Sequence, residues 1–142
     1  MPEQLRNPES PLNKVVIEHI QPTHEDERRA IVEFQNNQEL PFRNMKLIRI
    51  NKSEDPDGFR LGNHYHEDVE LFFLEEGKID TLVLEDSNTG ERKIYKGIEA
   101  STRIFLPPNV AHLLIFKNAA KLLAFSENQF NPANLVPHKI EY

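Results

Sequence analysis

Residues 58–77, GFRLGNHYHEDVELFFLEEG, place an alternating pair of histidines directly before a run of apolar residues. Side chains alternate between the two faces of a β-strand, so His64 and His66 are expected on one face with Cα atoms about 6.6–6.8 Å apart. That separation allows both imidazoles to approach one ion at about 2.0–2.1 Å. The acidic pair after His66 predicts a turn, which would return Glu70 to the same cavity. The stretch therefore predicts a site built on two strands.

A third histidine, His112, lies in a later apolar segment that follows the turn-forming residues Pro107, Pro108 and Asn109. Three imidazoles and one carboxylate suit divalent ions of the first transition row: Fe, Mn, Co, Ni, Cu or Zn. A His-x-His pair alone arises by chance in many chains. The spacing of the whole stretch, rather than the pair, favours a functional site.

Short β-strands are predicted on both sides of this stretch, with turn-forming residues between them. The predicted strands cover residues 14–20, 30–34, 45–50, 64–66, 70–74, 78–84, 91–96, 103–106, 111–116 and 121–125. Many short strands with frequent turns are typical of a sandwich or barrel, and no segment has the long apolar period of a helix. The sequence thus predicts an all-β barrel at 29–127, an irregular arm with the first strand at 1–28, and an irregular tail at 128–142.

Two of the predicted strands, 70–74 and 78–84, carry apolar side chains on both faces. An antiparallel strand with one solvated face should instead alternate between apolar and polar residues. A second layer must therefore cover these strands, and it could be another sheet, the N-terminal arm or a partner subunit. We expect a homodimer.

Composition limits the other function classes. The chain has 142 residues, with 17 Lys plus Arg against 23 Asp plus Glu and a formal net charge of −6. This length favours one domain, and the acidic balance disfavours nucleic acid as a partner. The chain has no cysteine, which excludes disulfides and Cys-based zinc sites. No membrane-spanning or secretory pattern is visible, so a cytoplasmic protein without a membrane partner is expected.

The spacing of the histidine stretch resembles the first cupin motif, G-x5-H-x-H-x3-E-x6-G. Gly58, His64, His66, Glu70 and Gly77 occupy the positions of that motif without a gap. Such a complete match is specific, because five positions are fixed at once.

The second cupin motif, G-x5-P-x-G-x2-H-x3-N, is matched in part. Pro107 and His112 stand in their places, whereas Ser101, Asn109 and Phe116 replace the two glycines and the asparagine. Asn is a fair substitute for Gly because it tolerates positive φ.

The resemblance implies a double-stranded β-helix, or cupin jelly roll, that binds a small molecule inside the barrel. By the same resemblance, the metal ligands would be His64, His66, Glu70 and His112. The cofactor would then be a divalent transition metal such as Fe, Mn, Ni or Zn.

Flanking segments are similar to the sugar-nucleotide isomerase and epimerase branch of the cupins. Residues 26–34 and 40–50 are similar to dTDP-hexose ketoisomerases, residues 60–66 to the cupin part of capsular polysaccharide epimerase/reductase proteins, and residues 130–132 to the end of dTDP-4-dehydrorhamnose 3,5-epimerase-like proteins. One departure is Leu61, which separates Arg60 from Gly62 where the ketoisomerases have Arg and Gly together.

Three functions are compatible with these residues. The first is a metal-dependent enzyme acting on a carbonyl-containing small molecule such as a sugar derivative, whose metal polarises the carbonyl or binds O₂ as in a dioxygenase. The alternative is a metal-independent sugar-nucleotide ketoisomerase or epimerase, with His64 and His66 as catalytic acid and base. The third is a non-catalytic module that binds a small molecule. The complete four-ligand set favours the first.

The remaining expectations concern single side chains. Arg60 lies at even spacing from His64, so on a regular strand it is expected to reach the same cavity and bind substrate. Arg103 is the second predicted substrate contact, and Tyr65 is expected to point away from the histidines and pack. The predicted barrel lining is Phe72, Leu74, Phe105, Leu114 and Phe116, and the predicted surface histidines are His19, His24 and His138.

Overall fold

The computed structural model describes residues 10–34, 42–127 and 135–142. Within those ranges the chain forms β-strands and one short 3₁₀ helix, Pro11–Lys14. The strands are β1 Val16–His19, β2 His24–Glu25, β3 Ala30–Ile31, β4 Asn44–Ile50, β5 Phe59–His66, β6 Glu70–Glu76, β7 Lys78–Asp86, β8 Arg92–Glu99, β9 Thr102–Leu106, β10 Val110–Phe116, β11 Ala120–Ser126 and β12 Leu135–Pro137. In this described part, no helix is both long and apolar enough to cross a membrane.

Two five-stranded antiparallel sheets face each other across the core. Their strand orders are β1-β9-β6-β11-β4 and β12-β5-β10-β7-β8, and β2 pairs separately with β3. The inner faces supply a continuous buried cluster, which includes Phe72, Leu74, Leu114 and Phe116. Burying such apolar side chains is the main driving force that holds the two sheets together. The predicted all-β jelly roll is therefore confirmed, and so are these four predicted core residues.

Two turns take the left-handed backbone conformation at positions where the second cupin motif has glycine. Ser101 has φ 70° and Asn109 has φ 68°. The Asn109 N–H donates to the His66 carbonyl at 2.9 Å, which ties the turn before β10 to the end of β5. The departures from the motif thus preserve its backbone, and they place His112 next to the strand that carries the other two histidines.

Segments of the same chain cover part of the outer face of each sheet, over the strands that carry apolar residues on both faces. On one sheet, Ile140 from the C-terminal segment packs with the outward residues Leu113 and Ile115 of β10. On the other, the ring of Phe34 stacks on Phe73 of β6 with centroids 4.3 Å apart. The apolar second faces are thus explained within the chain, and the homodimer stays a prediction.

Four segments differ from the sequence prediction. Strand β5 begins at Phe59, whereas the predicted strand covers only residues 64–66. The predicted first strand begins as a 3₁₀ helix, because the Ser10 hydroxyl caps the Leu12 N–H at 3.3 Å. The strand predicted at 30–34 stops at Ile31, and beyond it the Phe34 carbonyl accepts from Arg103 Nη1 at 3.0 Å. The tail contains β12, which adds to the edge of β5. The similarity noted at residues 130–132 lies outside the described residues.

Candidate functional site

The three histidines of the sequence prediction lie together on the inner face of one sheet. His64 on β5 is the direct cross-strand partner of His112 on β10, and their ring centroids are 4.6 Å apart. The His66 ring lies 4.8 Å from His64 and 6.0 Å from His112. One ring nitrogen from each histidine lies within 4.8 Å of those of the other two. The structure thus brings the predicted histidines together, while their roles stay predictions.

A β-bulge in β5 gives the histidines this arrangement. The pairing with β10 shifts between His112 and Leu113, so that Leu113 faces Gly62 and Asn63 has no cross-strand partner in this pairing. Gly62 has φ 122°, a backbone conformation that residues with a Cβ rarely adopt, and Asn63 has φ 61°, in the left-handed region that Asn tolerates. The extra residue lets Leu61 and His64 both face the interior although they are three positions apart.

Asn63 also holds the C-terminal segment against the sheet. Its side-chain Oδ1 accepts from the Ile140 N–H at 3.0 Å, and its carbonyl accepts from the His138 N–H at 2.9 Å. The bulge that orients His64 is therefore braced from the outside by the tail.

Glu70 begins the opposite sheet's strand β6 and completes the cluster. Its carboxylate is buried, with Oε2 3.4 Å from His66 Nε2 and Oε1 3.7 Å from His112 Nε2. The predicted turn after His66 does bring Glu70 back to the histidines. These separations leave Oε1 without a hydrogen bond among the described residues.

The proton of neutral His64 has a defined place. Its Nδ1 lies 3.1 Å from the Gly62 carbonyl, which can only accept a hydrogen bond. Nδ1 therefore carries the hydrogen, and Nε2 keeps its lone pair. That lone pair can take a proton or bind a cation.

Burial sets the protonation states of the cluster. Desolvation, helped by the charges of His64 and Lys46, lowers the pKa of His66 from 6.5 to about 4. Desolvation likewise lowers the pKa of His64, and it holds that of His112 well below 6.5. The same desolvation raises the pKa of Glu70 to about 7. At neutral pH the imidazoles are uncharged, and Glu70 exchanges between its acid and its carboxylate.

Lys46 is a site residue that the sequence prediction missed. It pairs with Ala124 across β4 and β11, and Ala124 pairs in turn with the core residue Phe72. Lys46 therefore lies on the inner face, and its charge acts on His64, His66 and Glu70. The signal was present in the sequence, because Lys46 takes the alternate, core-facing position with Ile48 and Ile50 in a predicted strand.

Arg60 does not lie where its spacing predicted. It pairs with Ile115, whose side chain belongs to the outward cluster under the tail, and Arg60 is exposed. The bulge at Gly62 and Asn63 reverses the alternation between Arg60 and His64. The expectation that even spacing brings both to one cavity is wrong.

Arg103 and Phe105 also face outward, away from the predicted cavity. Arg103 pairs with Phe73 on the outer face, forms an ion pair with Glu18, and donates from Nη1 to the Phe34 carbonyl. Its role here is to hold residues 30–34 on the sheet. Phe105 shares this face, so its predicted place in the barrel lining is wrong, and so is a cavity position for Arg103.

Of the other single-residue predictions, those for Tyr65, His19 and His24 are confirmed and that for His138 is wrong. Tyr65 packs in the outer cluster, away from the histidines, as predicted. His19 and His24 are exposed, as predicted. His138 is half-buried, because its Nε2 lies 2.9 Å from Glu85 Oε1, so the prediction of a plain surface histidine is wrong.

Acid is expected to destabilise the metal-free protein through this cluster. The folded-state pKa of His66 is depressed, so its contribution to stability is present above 6.5 and is lost as the pH falls towards about 4. The raised pKa of Glu70 acts oppositely, because its contribution is present below 4.5 and is lost as the pH rises through about 7. Three histidines oppose one carboxyl, so the free energy of unfolding should fall on acidification.

The test compares urea unfolding of the metal-free wild type with that of His66→Gln at pH 7 and pH 4. The wild type is expected to lose about 2 kcal/mol more stability over this range than the variant, since one pKa unit corresponds to about 1.36 kcal/mol and solvent screens part of it. His19→Gln, at an exposed position, is the matched control. Equal losses in wild type and His66→Gln would contradict the assignment.

Comparison with known proteins identifies structural neighbours of this fold. A 3,4-ketoisomerase from Helicobacter canadensis is 21% identical, with 86% of this chain and 89% of that chain covered and a TM-score of 0.67. A 3,4-ketoisomerase from Thermoanaerobacterium thermosaccharolyticum, in complex with TDP-4-keto-6-deoxyglucose, is 13% identical with 86% of each chain covered and a TM-score of 0.67.

A 3'-monoepimerase from Streptomyces bikiniensis, in complex with dTDP-quinovose, is 15% identical, with 87% of this chain and 68% of that chain covered and a TM-score of 0.72. No protein-family model and no curated protein sequence matches the chain. At these identities the likeness shows the fold alone, and that fold is the jelly roll that the resemblance to cupins implied.

Proposed function

We propose that this protein is a sugar-nucleotide ketoisomerase or epimerase that moves a proton next to a carbonyl group. The observation that carries the proposal is the cluster itself, in which His64 keeps a lone pair on Nε2 while the buried Glu70, whose pKa is raised to about 7, lies against His66 and His112. A base and an acid poised near neutral pH are what such proton transfers require. This proposal takes the acid-base alternative over the metal-dependent enzyme that the sequence favoured.

The reaction can be written with these groups. For a 4-keto sugar, His64 Nε2 removes the proton from C3, and the electron pair forms a C3–C4 double bond while the carbonyl oxygen becomes an enediolate oxygen. A proton then adds to C4 and the proton on O3 passes to O4, which becomes a hydroxyl group, so that the product is the 3-keto sugar. In an epimerase the proton instead returns to the same carbon on the opposite face.

His66 and Glu70 form the second half of the acid-base pair. Their facing atoms, Nε2 and Oε2, are 3.4 Å apart, close enough to pass a proton after a small movement. Glu70 can hold the proton that is returned to the sugar, because burial keeps a large fraction of it protonated at neutral pH. His112 completes the wall of the site.

The substrate class is supported by the neighbours. Structures of a neighbouring 3,4-ketoisomerase contain TDP-4-keto-6-deoxyglucose or TDP, and those of two neighbouring epimerases contain dTDP-quinovose or dTDP-4-keto-L-rhamnose. We therefore propose a dTDP-linked 4-keto-6-deoxy sugar as the first compound to test. The ligand would lie at the open end of the barrel, where the half-buried His64 and His66 are reached from solvent.

A metal-dependent enzyme is the second candidate, and the grouping of three histidines favours it. His64, His66 and His112 offer ring nitrogens within 4.8 Å of one another, and the Glu70 carboxylate lies beside two of them. These donors fit a divalent ion such as Fe, Mn, Ni or Zn. Such an ion would act as a Lewis acid towards a substrate carbonyl.

One experiment separates these functions. Purified protein of measured metal content is incubated with dTDP-4-keto-6-deoxyglucose in D₂O, with and without prior EDTA treatment, and ¹H NMR follows the C3 and C4 protons. We expect the EDTA-treated protein to incorporate deuterium and to form a new keto sugar as the untreated protein does. Turnover that requires added metal would instead favour the second candidate. Binding of dTDP-sugar without exchange would favour a non-catalytic module and overturn both.

A further inference from the structure

We propose that Lys46 binds the developing oxyanion of the ligand at the histidine cluster and thereby stabilises the enediolate. The chemistry of this inference rests on the proposed proton transfer, whereas the place of Lys46 rests on the fold alone. Lys46 would then be a catalytic residue of the site, although it lies outside both cupin motifs.

Strand register places Lys46 at the cluster. On β4, Lys46, Ile48 and Ile50 point inward, and the cross-strand partner of Lys46 is the buried Ala124 of β11. Ala124 pairs with Phe72, whose ring is 5.6 Å from the ring of His112. Two register steps thus connect Lys46 to the wall of the histidine site.

Exposure shows that a ligand can reach this lysine. Lys46 is exposed although it lies on the core-facing side of β4, whereas Ile50 on the same face is buried. The end of β4 that carries Lys46 is therefore the open end of the barrel. His64 and His66 are half-buried at the same end.

Lys46 adds a type of group that the rest of the cluster lacks. The cluster is otherwise built from three imidazoles and one carboxyl group, and Lys46 brings an ammonium group to the inner face beside them. Arg60 faces away from the site. The charge of Lys46 reaches Glu70 and two of the histidines, which places it within electrostatic range of a ligand held between them.

A binding experiment tests the inference without requiring turnover. Oxalate, a planar dianion with adjacent carbon–oxygen groups like those of an enediolate, is titrated calorimetrically into EDTA-treated protein whose metal content has been measured. Lys46→Met is expected to weaken oxalate binding by at least about 10-fold, and Lys46→Arg to retain most of it. Arg49→Met is the matched control, because Arg49 lies on the same strand but on its outer face.

The outcomes separate this inference from the proposed function. Wild-type protein that does not bind oxalate, or Lys46→Met that binds it as tightly as the wild type, would overturn the role of Lys46. If oxalate binding depends on Lys46 but no dTDP-sugar exchanges deuterium, the inference stands and the proposed function fails. If turnover occurs, Lys46→Met should lower kcat by about 10²–10³-fold with a small change in KM, as for loss of an oxyanion donor.

Discussion

The substitution His64→Asn is expected to lower kcat for exchange of the C3 proton by about 10²–10⁴-fold, the usual contribution of a general base. Asparagine can still donate to the Gly62 carbonyl that holds His64 Nδ1, so the local backbone contact is kept. It has no atom that takes up a proton in place of Nε2. The loss should therefore appear in the chemical step, with binding of dTDP changed little.

Three measurements make this result specific to base catalysis. The pH profile of kcat/KM in the wild type should lose activity on the acid side as the His64 imidazole becomes protonated, and residual activity in His64→Asn should lack that acid limb. His19→Asn, at an exposed position, serves as the control and should keep wild-type kcat. Elemental analysis of both proteins completes the set. Stoichiometric metal in the wild type that is lost together with activity in His64→Asn would favour the metal-dependent function.

The sequence predicted the strands and the histidine cluster well, because both follow from short repeats. Strand β10 needs only its apolar run, and His64 and His66 need only the two-residue period to share a face. The cupin motif adds the contacts between distant strands, because it predicts that His112 and Glu70 share one site with His64 and His66. The structure agrees on all four positions.

The face of the sheet on which a side chain lies was harder to predict where a bulge adds one residue to a strand. The extra residue reverses the two-residue alternation beyond it. The two-residue period counted back from His64 predicts that Arg60 faces inward, and the bulge at Gly62 and Asn63 turns Arg60 outward instead. Arg103 has no such marker, because its strand is covered on both faces and either orientation fits the local pattern. The short strand β12 depends on a partner that is distant in sequence, so no local signal predicts it.

For Lys46, by contrast, the local sequence does contain a signal. A strand that places lysine in register with two core isoleucines contains a conflict between charge and burial. Such conflicts are tolerated where the charge has a task or reaches water, and Lys46 does reach water at the open end of the barrel. A charged residue in a core-facing position of a predicted strand is therefore worth testing as part of a site.

Gly62→Ala is expected to have the largest effect on stability of any single methyl addition in the site. A Cβ at Gly62 would overlap the His112 carbonyl oxygen, which is backbone and cannot rotate away. The residue also has φ 122°, so alanine would be strained even with space available. Overpacking and backbone strain each cost about 1–3 kcal/mol, so we expect a loss of about 3–5 kcal/mol in the free energy of unfolding.

The same overlap should also damage the site, because β5 and β10 must separate at the pair that carries His64 and His112. Gly90→Ala is the matched control: Gly90 also has positive φ, at 77°, but a Cβ there would meet nothing within 4 Å. Urea unfolding should show a loss of about 1–2 kcal/mol for Gly90→Ala, from backbone strain alone. Oxalate binding should be weakened in Gly62→Ala and unchanged in Gly90→Ala. Equal stability of the two variants would mean that β5 and β10 do not approach each other closely at Gly62. The bulge would then not be the feature that orients His64.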